Sequence, residues 1–302
     1  MDQLSTTQDQ HIVLEVNTEG PSLRALGIVD RVISLCDPAR VSIRGWCNAV
    51  ENVPFQRLDR WQYSHFFWMS RRYWTEGVLP SSHQYAFGYF MGRRTLPRAV
   101  MMYDVLHEFA RDSMVSAMRT RVPDPWVESS PGIDVEHMSE WVHPDVEHTW
   151  RAWWRRASVP SLDGATVSEQ YQEDRNTNQS LLRFYNRFDI ELVAETYTRG
   201  DTFFVTEKTV RPIVAGRPML IYGPCNFLAR LHELGFRTWH SLWDESYDAL
   251  EGPARWEKIR HVMRGIVTMP TAQRAEMLIQ AQHIVEHNRS ILDDIIKRFQ
   301  PQ

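Results

Sequence analysis

This chain of 302 residues predicts an α/β fold in which parallel sheets are covered by helices. Three observations carry that expectation. Short apolar runs bounded by turn residues alternate with stretches of helical period, the pattern of strand–crossover–strand units. The length and the 43% apolar content allow an ordinary core in two domains or in one large α/β domain. Two long helical patterns finish the chain, and no internal repeat or low-complexity tract interrupts it.

The first run is Ile12-Val13-Leu14-Glu15-Val16, followed by Asn17 to Ser22 and a helix-period stretch from Leu23 to Leu35. Val41-Ser42-Ile43-Arg44-Gly45-Trp46 closes a β-α-β unit, and His65 to Met69 reads as a third strand. Gly77-Val78-Leu79-Pro80-Ser81-Ser82 breaks the periodicity and is the candidate linker, dividing the chain into residues 1–82 and 83–302.

The second part opens with Tyr85 to Met91, a turn, and a helix from Arg98 to about Arg111 with Pro97 suited to its first turn. The Pro-, Trp- and His-rich stretch from Arg121 to Ser168 has weak periodicity, with one helix expected over Val146 to Arg156. A helix near Gln179 to Phe188 precedes the strand Ile190 to Ala194. A helix from Thr206 to Gly216 leads to the strand Pro218 to Tyr222. A helix Asn226 to Leu234, a strand Arg237 to His240, and helices Ala254 to Ile266 and Ala272 to Phe299 complete the reading.

Composition excludes several classes. With 34 basic and 38 acidic residues the net charge is −4, so contact with a polyanion has to come from a local patch. Cys36, Cys47 and Cys225 are far apart, which suggests neither a disulfide framework nor a zinc site. The N-terminal MDQLSTTQDQ lacks the pattern of a signal peptide, and no apolar run has the length of a membrane span. The expectation is a cytoplasmic protein with no membrane partner. No GxxxxGK[ST] is present, which argues against P-loop chemistry.

Chemistry shows between Glu191 and Asp248. A strand ends in Ala194-Glu195-Thr196, and Val205-Thr206-Glu207-Lys208-Thr209 opens a helix after a loop. A helix N-terminus presents unpaired N–H groups and partial positive charge, so Lys208 there completes a pyrophosphate cradle and Glu207 can accept from a ribose diol. A second reading stands beside it: Thr206 as a plain N-cap and Glu207 as a first-turn acid favoured by the helix dipole.

The passage F-V-T-E-K-T-V-R-P-I-V-A-G-R-P-M-L-I-Y-G, preceded by the A-E-T strand end, resembles the donor motif of α1,3-fucosyltransferase-like glycosyltransferases. The resemblance implies a GT-B fold, with two Rossmann-like domains facing a cleft, and a nucleotide-sugar co-substrate, a UDP-sugar being favoured. By position it assigns donor binding to Glu195, Thr206, Glu207, Lys208 and Thr209. A strand, an arginine pair and a helix also resemble the family's, which brings Arg93, Arg94 or Arg98 to the pyrophosphate, where an Arg fork binds oxygens in pairs. Gly235-Phe236, Trp243-Asp244-Glu245-Ser246-Tyr247-Asp248 and the early E-G-P-S-L are more similar to a branch of phage and bacterial glycosyltransferase-like proteins. The family's Glu-Asn step is Glu195-Thr196 here, so fucose is not implied.

Transfer with inversion needs a base for the acceptor hydroxyl and cations for the departing diphosphate. Glu19, after the first strand, and Glu51 are the candidate bases from residues 1–82, and each also fits a capping or surface role. No convincing Asp-x-Asp loop is present, so no metal is expected. The branch resemblance points to a hydroxymethylated pyrimidine in phage DNA as acceptor, in the host cytoplasm. Trp150-Arg151-Ala152-Trp153-Trp154-Arg155-Arg156 could offer phosphate contacts and stacking, although its tryptophans also share one helical face as a buried stripe would. A glycan or lipid-linked acceptor, and a non-catalytic nucleotide-binding protein, are the alternatives, and oligomeric state is left open.

Overall fold

The computed structural model describes residues 11–16, 23, 24, 26–45, 53–58, 84–91, 96–117, 184–198 and 203–298. The expected strand at 65–69, the linker at 77–82 and the helix at 146–156 lie outside these residues. So do Glu19, Glu51, Arg93, Arg94 and the aromatic tract at 150–156. Over the described residues the fold is mixed α/β with parallel sheets.

The first sheet is three parallel strands in the order β1 (Ile12–Val16), β2 (Val41–Gly45), β3 (Gln56–Arg57), with Ile12 opposite Val41 and Ser42 opposite Gln56. Helix α1 (Ile28–Leu35) makes the β1–β2 crossover. It begins five residues later than the apolar period suggested. Leu23 and Arg24 form a turn closed by Gly27 N–H to the Arg24 carbonyl (2.9 Å), and Gly27 takes a left-handed conformation (φ 66°) that helical residues cannot share. The two-residue β3 was not legible as a strand, being too short to show a period.

The second sheet has the order β5 (Ser113–Ala117), β4 (Tyr85–Met91), β6 (Phe188–Ala194), β7 (Met219–Tyr222), all parallel. Every residue of β6 and β7 is buried, as expected of a sheet covered on both faces. Helix α2 (Leu96–Glu108) joins β4 to β5, and α3 (Glu207–Ala215) joins β6 to β7. Alternate residues of β4 identify the faces. Phe87 meets Phe109 edge-on, and the Tyr89 hydroxyl donates to the Arg98 carbonyl of α2 (3.0 Å). Phe90, on the opposite face, lies 5.3 Å below the guanidinium of Arg211 in α3. The two crossovers therefore cover opposite faces and diverge between β4 and β6.

Gly88 is required where these two strands touch: a Cβ there would fall 2.6 Å from the Phe188 ring. Helix α4 (Phe227–Glu233) follows β7, and α5 (Gly252–Thr268) and α6 (Thr271–Arg298) close the chain. Trp256 of α5 donates its indole N–H to Asp104 of α2 (2.7 Å), and Arg260 and Arg264 pair with Glu108. Helix α6 packs on α3. Among the described residues no helix is long and apolar enough to cross a membrane.

Two expectations need correction, and one further strand was not foreseen. Residues 184–187 form a turn, not the end of a helix, and β6 starts at Phe188, because Tyr185 is drawn into the core beside Phe188 and Phe90. Ser113–Ala117 is a strand that the apolar pattern did not reveal, since its two serines break the run. Residues 237–240 are not a strand. The Arg237 N–H donates to Asn288 Oδ1 (2.7 Å) and the Asn288 amide donates to the Arg237 carbonyl (2.9 Å), so a side chain of α6 takes the place of a neighbouring strand.

Candidate functional site

Strand β6 carries acids at alternating positions on the face toward α3: Asp189, Glu191 and, just past its end, Glu195. An acid buried in a sheet needs a partner, and each of these has one. Asp189 faces Arg274 of α6 at 3.9 Å. Glu191 is paired with Arg211. Glu195, fully buried, is bonded to the start of α3.

The bonds of Glu195 are specific. Its carboxylate accepts from Thr206 Oγ1 (2.6 Å), Thr209 Oγ1 (2.5 Å) and the backbone N–H groups of Thr206 and Thr196 (both 3.3 Å). Thr206 and Thr209 are three apart, so they share the helix face that looks down on the strand end. Thr206 is also the N-cap, its hydroxyl oxygen accepting from the Lys208 N–H (3.2 Å). Glu195, Thr206 and Thr209 thus form the underside of the motif, and their role is to hold α3 against β6. Glu195 and Thr209, which were read as donor-binding, are both buried and bonded to one another.

Glu207 and Lys208 occupy the partly open side. Lys208 Nζ donates to Glu207 Oε1 (2.7 Å), Thr196 Oγ1 (3.2 Å) and Thr206 Oγ1 (3.3 Å), which accounts for the three protons of the ammonium. Burial pushes the Lys208 amine below its ordinary value and the nearby Arg98 charge adds to this, while Glu207 and Glu195 oppose it. Burial alone would raise Glu207, but the charge and hydrogen bond of Lys208, helped by Arg211, outweigh it and hold the carboxyl at about 2.

Arg98, in the first turn of α2, is 2% exposed and donates to the Glu195 carbonyl (2.7 Å). It therefore bridges from the helix after β4 to the end of β6. This is the place where the crossovers diverge, the crevice at the carboxyl ends of the strands where open α/β sheets take their ligands. Arg98 and Lys208 bring two cations to that place, while the N–H groups of Thr206, Lys208 and Thr209 at the start of α3 are bonded to Glu195 Oε1, Thr206 Oγ1 and the Thr206 carbonyl.

The sequence reading missed Arg211, Glu191 and Tyr185, which form a buried triad under α3. A signal was present: polar residues at alternating positions of an otherwise apolar strand, with an arginine one turn beyond Lys208. The Trp243–Asp248 segment has a structural role. Asp248 accepts from the Leu228 (3.0 Å) and Ala229 (3.1 Å) N–H groups and pairs with buried Arg255 (2.9 Å). Glu245 accepts from the Trp239 N–H (2.7 Å), and Asp244 from the Ser246 N–H (2.9 Å). Arg255 also donates to the carbonyls of Ile221 and Pro224 at the end of β7.

Comparison of the chain with protein-family models, curated proteins and solved structures finds no match.

Proposed function

We propose that the protein is a GT-B glycosyltransferase whose nucleotide-sugar donor lies in the crevice between β4 and β6. One observation carries this reading: Arg98 from one crossover and Lys208 from the other meet at the strand ends where the crossovers diverge. The resemblance assigns Arg93 and Arg94, which lie outside the described residues, to the same diphosphate. The acceptor oxygen attacks the anomeric carbon as the bond to the diphosphate breaks. Its proton passes to Glu19 or Glu51, and the diphosphate leaves with the electron pair against Arg98 and Lys208. No metal enters this scheme, so chelation should leave turnover unchanged.

A thermal-shift screen of UDP-, GDP-, CMP- and dTDP-sugars tests the donor site, because a ligand that binds the folded state raises its apparent stability. Wild type should be stabilised by at least one donor, and Lys208→Met should lose that shift without losing its own cooperative melt. Wild type unmoved by all four classes would overturn the reading. The favoured acceptor is a hydroxymethylated pyrimidine in DNA, with a glycan or lipid-linked precursor as the alternative. Binding to duplex DNA that weakens steeply with salt separates the two.

A second reading, of another class, is a nucleotide-binding protein without turnover, in which Lys208 would likewise have to leave one of its three protein oxygens for a phosphate. Hydrolysis of a bound nucleotide-sugar without acceptor would decide against it.

A further inference from the structure

Arg211 lies one turn along α3 from Glu207 and Lys208 and is almost fully buried. Its Nε donates to the Tyr185 hydroxyl (2.5 Å), a terminal nitrogen bonds Glu191, and the Tyr185 hydroxyl donates to the same carboxylate. The three residues come from the turn before β6, the middle of β6, and α3. Stability does not demand such a group, since well-packed apolar side chains in place of a buried ion pair are often neutral or stabilising. Its position suggests another use. Glu207 and Arg211 are spaced i, i+4 with the acid N-terminal, the favourable order on a helix.

Lys208 has no fourth donor. A ligand phosphate reaches it only by displacing Glu207, Thr196 or Thr206, and of these Glu207 is the charged competitor. Once displaced, Glu207 would be a carboxylate in a mostly buried place without its direct partner. Lys208 and Arg211 on its own helix act on it directly; Arg98 from α2 and Glu195 at the end of β6 act on Lys208, and Glu191 of β6 and Tyr185 of the preceding turn hold Arg211. On α6, which packs against α3, Arg274 is directed to Asp189. Arg98 is bonded to the Glu195 carbonyl, and Arg211, four residues on from Glu207 along α3, is the cation of that helix besides Lys208, held in place by Glu191 and Tyr185.

Resting on the donor-site reading above, we propose that Arg211, fixed by Glu191 and Tyr185, is a positioning residue for that site. It supplies the counter-charge that keeps Glu207 an anion, ready to accept from ligand hydroxyls, when Lys208 turns from Glu207 to the diphosphate of a nucleotide-sugar. Arg211 acts through Glu207 and need not touch the ligand.

The test measures affinity for UDP-glucose, GDP-mannose and dTDP-glucose by calorimetry across pH. Wild type should bind at least one of them with little change from about pH 7.5 to about pH 5.5, a range above the ordinary carboxylate value. The Glu191→Met/Arg211→Met double variant should melt cooperatively yet lose about tenfold in affinity over that range, as a carboxylate titrating within it requires. Arg211→Lys should restore the flat profile, and adding Glu207→Gln to the double variant should remove its pH dependence. A folded double variant with wild-type affinity at both ends of the range overturns the proposal.

If the double variant does not fold, the wild type decides by ¹³C NMR of the Glu207 carboxyl with donor bound. A resonance constant down to about pH 4.5 supports the proposal, and one that titrates above about pH 5 overturns it. Failure of wild type to bind any of the three donors removes the donor-site reading itself, an outcome distinct from binding without the predicted pH response.

Discussion

Replacing Glu195 by alanine should be among the most damaging changes near the crevice. The side chain is fully buried and its carboxylate accepts from two threonine hydroxyls at 2.6 and 2.5 Å and from two backbone N–H groups at 3.3 Å. Hydrogen bonds to a charged acceptor contribute about 1.5–3 kcal/mol each, so the two hydroxyl bonds alone give roughly 3–6 kcal/mol. That is a large part of the ~5–15 kcal/mol by which domains are stable. Urea unfolding followed by tryptophan fluorescence should show the midpoint falling with little change in slope. Glu195→Gln keeps the volume and one acceptor oxygen, and should cost less than half as much. Because the bonds hold the first turn of α3, Glu195→Ala should also weaken the proposed donor binding at temperatures where it remains folded. A Glu195→Ala protein within about 1 kcal/mol of wild type would refute the view that this acid anchors the helix.

Gly88→Ala should destabilise by about 1–3 kcal/mol, because its Cβ would meet the Phe188 ring at 2.6 Å; an unchanged melting temperature would show that the ring yields freely. Asn288→Ala leaves the Arg237 N–H and carbonyl without their partner, at a cost of about 2–5 kcal/mol, and hydrogen exchange at the Arg237 amide should accelerate. Glu207 has a folded value of about 2, below the ordinary carboxylate range, so its contribution is complete above that range and disappears as pH falls toward 2. The stability gap between wild type and Glu207→Gln should accordingly narrow between about pH 5 and about pH 2, and a constant gap in urea titrations would contradict the pairing.

Much of the second sheet was readable from the chain because its strands are buried on both faces and its helices carry ordinary end signals. Tyr85–Met91 and Met219–Tyr222 are unbroken apolar runs, and Gly216 in a left-handed cap (φ 68°) marks the end of α3. Thr206-Glu207-Lys208-Thr209 was visible as a helix start with unusual chemistry. Ser113–Ala117 was not visible as a strand, because its serines break the apolar run and its place is set by pairing with β4. The strand expected at Arg237–His240 fails for the converse reason: without a neighbouring strand, Asn288 of α6 completes the backbone bonding there.

By itself the sequence determined the α/β class, the order of most elements, and the position of a cation and an acid at the start of one helix, all consequences of local periodicity and end signals. Tertiary structure alone decided what those residues do for one another. Glu195 and Thr206 are eleven positions apart, and Glu195 and Arg98 ninety-seven, so no local pattern could reveal that a strand-end acid anchors a helix or that Arg98 crosses beneath it. Burial then divided the motif, turning Thr206 and Thr209 down to Glu195 and leaving Glu207 and Lys208 paired on the open side. That division follows from the 100° per residue of an α-helix laid against a strand end, where two hydroxyls three residues apart must face the same way.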